Sequence, residues 1–117
     1  MIAYKVVFKD SSGDLWSITN FRKRTNYRIN EKAYPVENTK LFVFSSVEAA
    51  RKMAATNLYT EVWECEIPEP TEYKRRPAKY EYVHTREYVD VDWNYQTLFV
   101  PLETMFVDWV KLTKKVL

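Results

Sequence analysis

Residues 41–67 read LFVFSSVEAARKMAATNLYTEVWECEI, an order of patterns that few folds accommodate. Leu41, Phe42, Val43 and Phe44 form a short continuous apolar run between Lys40 and Ser45, as expected of a strand covered on both faces. Ser45 and Glu48 then spell a capping box, in which the hydroxyl accepts an orphan N–H and the carboxylate reaches back to the cap residue's own N–H. Val47, Ala50, Met53, Ala54 and Asn57 recur at helical spacing, while Glu48, Arg51 and Lys52 occupy the other face. Ala49, Ala50, Ala54 and Ala55 permit close packing on a sheet. The spacing predicts a helix over 46–57, with Asn57 as its left-handed stop. From Val62 the period changes to two: Trp63, Cys65 and Ile67 point one way and Val62, Glu64 and Glu66 the other, so one face is expected buried and one wet. Pro68 and Pro70 end that strand, because proline donates nothing to a ladder.

The flanking segments supply further strands. In residues 2–9, Tyr4, Val6 and Phe8 alternate with Ala3, Lys5, Val7 and Lys9, a pattern suited to a pleated backbone. Asp10, Ser11, Ser12, Gly13 and Asp14 are turn formers, with Gly13 where a positive φ is expected, so residues 15–19 pair back as a hairpin. Residues 20–40 are polar, and read as a loop with a short strand over 27–29 and an extended path through Tyr34, Pro35 and Val36. In residues 79–93, Tyr80, Tyr82 and His84 share one phase and Val89, Val91 and Trp93 another, which predicts a bulge or turn near Arg86 and Glu87. Near the end, Leu102, Met105, Phe106, Trp109 and Val116 suit a helix, whereas in residues 104–112 Phe106, Val110 and Leu112 share a strand phase interrupted only by Asp108; of the two, strand over 105–112 is the reading taken. The fold expected is α+β: one domain over residues 1–117, a mostly antiparallel twisted β-sheet with one main α-helix packed on it.

Composition narrows the chemistry. The single glycine, Gly13, cannot build a Gly-rich phosphate loop, which excludes Walker-type and Rossmann-type nucleotide sites. One cysteine, Cys65, and one histidine, His84, leave no intramolecular disulfide and no Cys-cluster zinc site. His84 with Glu87, Asp90 or Asp92 has no recognisable metal spacing, and no metal or cofactor is expected. With 18 basic and 16 acidic residues the net charge is +2, too small for a strong field attracting polyanions. Nine Tyr, six Phe and four Trp supply ample core material. The N-terminal residues lack a signal-peptide pattern and no apolar run approaches spanning length, so a cytoplasmic protein without membrane association is expected.

Two basic segments interleaved with aromatics are the candidate binding residues. The first holds Arg22, Lys23, Arg24, Tyr27 and Arg28, and the second Tyr73, Lys74, Arg75, Arg76 and Lys79. Cations neutralise phosphates and rings stack on bases, so both segments suit single-stranded nucleic acid; equally, both suit solvated loops. Cys65 is in phase with Trp63 and Ile67 and is expected to be a buried, unreactive thiol rather than a nucleophile paired with His84. Glu61, Glu64, Glu66, Glu69 and Glu72 are expected to balance Arg75, Arg76 and Lys79, or to meet a basic partner. Trp16, Trp93 and Trp109 suit either a core or an interface, a homodimer included.

The segments YKVV (4–7), LWSI (15–18), Tyr27, LFVFSSVEAA (41–50), VWECE (62–66) and FVDWVKLTKKV (106–116) together resemble a family of small phage and mobile-element proteins of unknown function. The resemblance spans nearly the whole chain. It implies a final strand entered through a Gly-Thr turn, although Glu103 stands where that glycine would be, and it implies no activity. The strand-rich, one-helix pattern also resembles half of an ADP-ribosyltransferase fold, which would place Glu64 or Glu66 on a strand beside a ribose. The Arg, Ser-Thr-Ser and Glu-x-Glu set of such enzymes is not found, and fold analogy alone is weak ground for chemistry. No catalytic residues are therefore assigned. The expectation is a viral or mobile-element accessory protein that binds a host protein or nucleic acid in the host cell cytoplasm; the alternative is a nucleotide- or NAD-utilising enzyme.

Overall fold

A computed structural model describes residues 1–18, 24–36, 40–55, 57–70 and 104–117. Chain order is β1 (Ile2–Lys9), β2 (Leu15–Ser17), β3 (Asn26–Tyr27), β4 (Lys32–Ala33), β5 (Leu41–Phe44), α1 (Val47–Ala55), β6 (Thr60–Glu66), β7 (Thr104–Val107) and β8 (Val110–Lys115). All strand pairs are antiparallel, so the described residues form an α+β arrangement of one antiparallel sheet and one short helix.

The centre of the sheet is β1 against β6, in register from Ile2 opposite Glu66 to Phe8 opposite Thr60. The other edge of β1 is shared: β2 pairs with its last residues, Phe8 opposite Trp16, and β5 meets it at Tyr4 opposite Phe44. β6 continues to β8, β8 to β4, and β5 to β7. β7 and β8 do not pair with each other but are joined through Asp108 and Trp109, so the chain itself links the β6–β8 side of the sheet to the β5–β7 pair that meets β1.

That route produces two apolar layers. Ala3, Val7, Leu41, Val43, Trp63, Cys65, Val107, Val110 and Leu112 form an inner cluster. Val6, Phe42, Phe44, Val62 and Phe106 form an outer one, covered by Ala49, Ala50 and Met53 of α1. β5 is buried at all four positions, in agreement with its continuous apolar run. Phe42 sits edge-on to Phe44, with ring centroids 6.0 Å apart, and 6.4 Å from Phe106. The face of β6 expected to be wet is dry at Val62, where the helix covers it.

Local chemistry explains most element ends. The β1–β2 turn closes as expected: Gly13 has φ +91°, its N–H donates to the Asp10 carbonyl, and Asp10 Oδ1 accepts from the Ser12 and Asp14 N–H groups. The Trp16 indole N–H donates to Asp10 Oδ2 (2.9 Å) and holds that carboxyl below its usual range, helped by the backbone donors. The helix begins one residue later than the capping box implied. Ser46 is the cap, its hydroxyl accepting the Ala49 N–H (3.2 Å), while Glu48 faces Arg51 at 3.6 Å on the exposed surface. Asn57 is not the left-handed residue either. Its side-chain amide donates to the Met53 carbonyl (3.0 Å), closing the helix end from outside, and the positive φ falls at Tyr59.

The final strand is present, as expected over 105–112, but in two pieces. Met105 and Val107 face the inner cluster, and after Asp108 and Trp109 the same side is taken by Val110 and Leu112. Phe106 therefore belongs to the outer layer, not to the face of Val110 and Leu112. Asp108 is ion-paired with Lys40, and the Lys32 ammonium lies 4.2 Å from the Trp109 ring, so side chains hold the break from both flanks. A bulge on β8 sets Glu64 opposite Lys114 but Cys65 opposite Leu112; the skipped Thr113 donates its hydroxyl to the Glu64 carbonyl at 3.1 Å.

Candidate functional site: an apolar cleft beside the helix end

The helix stops at Ala55, and its apolar side reaches Val6 and Val62. The next row of the sheet on that side, Trp16, Phe8 and Thr60, lies beyond the helix end. There the chain forms an open cleft of about 500 Å³. Phe8, Ser17, Ile18 and Thr60 line it from the sheet, Arg24 from the segment leading into β3, and Asn57, Leu58 and Tyr59 from the turn between α1 and β6.

That turn is firmly held. The Asn57 N–H donates to the Ala54 carbonyl (3.1 Å), and the Thr60 hydroxyl lies 3.2 Å from the carbonyl oxygens of both Ala54 and Asn57. The Lys9 N–H donates to the Tyr59 carbonyl at 2.9 Å, tying the turn to β1. It nevertheless displays two large apolar side chains to water, with Leu58 78% and Tyr59 74% exposed. Tyr59 also adopts φ +59°, a region that bulky side chains rarely enter because Cβ crowds the backbone. Strain of this kind persists where the surroundings over-determine it.

The binding residues expected from sequence separate in space. Arg24 is half-buried on the cleft wall, its guanidinium 5.7 Å from the Phe8 ring and 5.3 Å from the Trp16 ring. Arg28 is exposed in the turn before Asn30. Tyr27, expected to stack on a base, is instead 3% exposed in the inner cluster with its hydroxyl 3.3 Å from Ser17 Oγ, because it pairs with Leu15 on the inward phase of β2 and β3. Burial pushes its phenol pKa up. Arg22, Lys23, Tyr73, Lys74, Arg75, Arg76 and Lys79 lie outside the described residues, as do His84, Glu87, Asp90 and Asp92.

Cys65 is fully buried, as its phase implied, and burial raises its thiol to about 12, far from a thiolate at neutral pH. The glutamates of β6 find their cations on neighbouring strands: Glu61 lies 3.5 Å from Lys9 and 3.3 Å from Lys115, and Glu66 lies 3.9 Å from Lys111. Among the described residues, no three His, Cys, Asp or Glu side chains gather into a metal-holding group.

Sequence reasoning missed one internal group. Lys5, in phase with Ala3 and Val7, is 1% exposed. Its amine donates to the Phe42 carbonyl at 2.6 Å and sits 4.5 Å from the Phe42 ring and 5.6 Å from that of Tyr27. Desolvation lowers its pKa from 10.5 to about 7, against an opposing pull from Cys65. A lysine flanked at two-residue spacing by Ala3 and Val7 was the available signal.

Comparison with family models, with characterised proteins and with solved structures finds no match. The class defined by fold and site is thus a mostly antiparallel α+β sheet with a cleft that is apolar, open and cationic at one wall. Its described lining residues include no carboxylate, histidine or cysteine.

Proposed function

We propose that this is a viral or mobile-element accessory protein that acts by binding a host protein or nucleic acid in the host cell cytoplasm. The observation that carries the reading is the cleft: two exposed apolar side chains on a pinned turn, beside an arginine seated on aromatic rings. Tyrosine, tryptophan and arginine dominate binding energy at interfaces, and a displayed apolar patch on a rigid frame is a usual mark of a contact surface. In this reading the twisted sheet and its one main helix are scaffold, and Arg24 and Arg28 belong to the contact surface. No helix among the described residues is long and apolar enough to cross a membrane.

The test is a filter-binding titration of the full chain with single-stranded and duplex oligonucleotides across salt, alongside panning of a random peptide library. Binding to either probe that weakens when Arg24 is replaced supports the reading, and a steep salt dependence points to phosphate contacts. Absence of binding to both probes at low salt rejects it.

A further inference from the structure

Lys5 sits at the narrowest seam of the sheet. Among the described residues β1 is held to β6 at seven opposed positions, from Ile2 with Glu66 to Phe8 with Thr60, but to β5 at one, Tyr4 with Phe44. Across that seam the Lys5 amine donates to the Phe42 carbonyl, 37 residues away in sequence, and lies against the Phe42 ring. Behind the seam β5 is paired with β7 at four positions, Leu41 with Val107 through Phe44 with Thr104, so the two strands form one ladder that Lys5 clips to β1.

The clip is titratable, and its surroundings suit one protonation state. A charged ammonium presents three donors, whereas the described residues offer Lys5 a single hydrogen-bond acceptor. The titratable groups facing it are Tyr27 on β3 and Cys65 on β6, and burial keeps both of them protonated and neutral. Glu61, on the same phase of β6, is taken by Lys9 and Lys115, while Glu64 and Glu66 lie on the opposite phase. Thr25 and Thr104, the other buried polar residues described, do not titrate. The Phe42 and Tyr27 rings offset part of the cost of a buried cation, yet desolvation still brings the amine from 10.5 to about 7.

We infer that Lys5 is a pH-sensitive latch on the β1–β5 seam: uncharged it holds the β5–β7 pair against β1, and on taking up a proton it lets that pair lift away while β1 stays on β6. Freed from the Phe42 carbonyl and ring, the amine meets water and regains the proton affinity of an ordinary lysine. The open state therefore binds more protons than the closed one from about pH 7 to 10.5, so opening is disfavoured as pH rises through that interval and levels off below it. Cys65 and Tyr27, which lose protons more readily once exposed, oppose this above pH 9.

Cys65, the chain's single cysteine, is fully buried in the inner cluster with Leu41, Val43 and Val107 of the β5–β7 pair, and so reports the opening. The test is alkylation of the full chain by iodoacetamide from pH 7 to 9, read by mass spectrometry. Each rate is divided by that of the urea-unfolded chain at the same pH, which gives an opening constant. Labelling is expected to be faster than the global unfolding constant from urea melts allows and to depend weakly on low urea, as local opening does. The opening constant should fall by about threefold to tenfold per pH unit in the parent and stay level in Lys5→Met. An opening constant equal to that of global unfolding, one that does not fall with pH, or an equal fall in Lys5→Met overturns the latch. Should Lys5→Met not fold, NMR of the parent isotope-labelled at lysine decides: a Lys5 amine titrating near neutral pH supports the latch, and one titrating as an ordinary lysine overturns it.

Discussion

Lys5 and the Leu58–Tyr59 turn invert the usual distribution of polarity in opposite directions. At Lys5 an ionisable amine is sealed inside the sheet, whereas at Leu58 and Tyr59 apolar surface is held out in water. The two inversions are not equally compensated. Lys5 has a carbonyl acceptor, two aromatic rings and a pKa brought down to about 7, so that burial uncharged becomes far easier than for an ordinary lysine. Among the described residues Leu58 and Tyr59 have no comparable cover, and Tyr59 adds backbone strain. A compensated inversion belongs to the energetics of the fold; an uncompensated one, on a turn pinned by hydrogen bonds through Asn57, Tyr59 and Thr60, is the place to look for a role outside the fold.

The comparison breaks first if the cleft turns out to be part of the core. Leu112 is fully buried in the inner cluster, and Leu112→Ala is expected to cost about 2–5 kcal/mol, the lost transfer energy plus the cavity left behind. Leu58→Ala, at an exposed position, is expected to stay within about 0.5 kcal/mol of the parent. Urea denaturation of both variants decides it, and a Leu58→Ala cost rivalling that of Leu112→Ala would make the turn structural.

A smaller effect tests the interior. The folded state holds the Lys5 proton less tightly than the unfolded chain, from about 7 against 10.5. The unfolded state thus binds more protons between these values, and stability rises with pH, by at most about 1.4 kcal/mol per pH unit. The groups facing Lys5 oppose this at higher pH: Cys65, raised from 9.0 to about 12, and Tyr27, raised from 10.0, both keep protons in the folded state that the unfolded chain releases. The clean window is therefore pH 7 to 9. Urea midpoints should climb across it for the parent and climb less for Lys5→Met. Parallel slopes in the two proteins would mean that the amine stays charged inside.

Much of the scaffold was legible in the sequence because its signals are local. The double-sided burial of β5 follows from four consecutive apolar residues, the β1–β2 turn from Asp10 and Gly13, and the fate of Cys65 from its phase with Trp63 and Ile67. What escaped depends on closure. In β1 both phases carry apolar residues, so alternation alone does not say that Lys5 is sealed in; that follows from β5 pairing with β1 across a sequence gap. Phe106 and Leu112 share a parity but not a layer, because Asp108 and Trp109 shift the phase by one residue. The cleft draws on β1, β2, the approach to β3 and the α1–β6 turn, and no window of sequence contains it. Of the residues singled out for binding, Arg24 reaches the cleft and Tyr27 turns inward, a difference set by strand pairing rather than by residue type.

The capping assignment offers a test of about 1 kcal/mol. Ser45 and Ser46 both suit a cap, and Glu48 favours Ser45 by pattern, yet the Ala49 N–H points to Ser46 Oγ. Ser46→Ala should lower stability by about 1 kcal/mol and Ser45→Ala by less, as read from urea midpoints. The reverse order would restore the capping box and move the helix start back by one residue.

The smallest expected change is also the sharpest for the comparison. Replacing Tyr59 by glycine relieves a left-handed backbone cost of about 1–2 kcal/mol and adds a chain-entropy cost of about 0.5–1 kcal/mol. The exposed ring contributes little packing to offset that balance. Tyr59→Gly is therefore expected to fold with stability equal to the parent or higher by up to about 1.5 kcal/mol. A thermal melt showing no loss would establish that a tyrosine stands at a position where glycine serves the fold as well. A drop beyond 1 kcal/mol would instead assign Tyr59 to the fold and remove the strain from the functional argument.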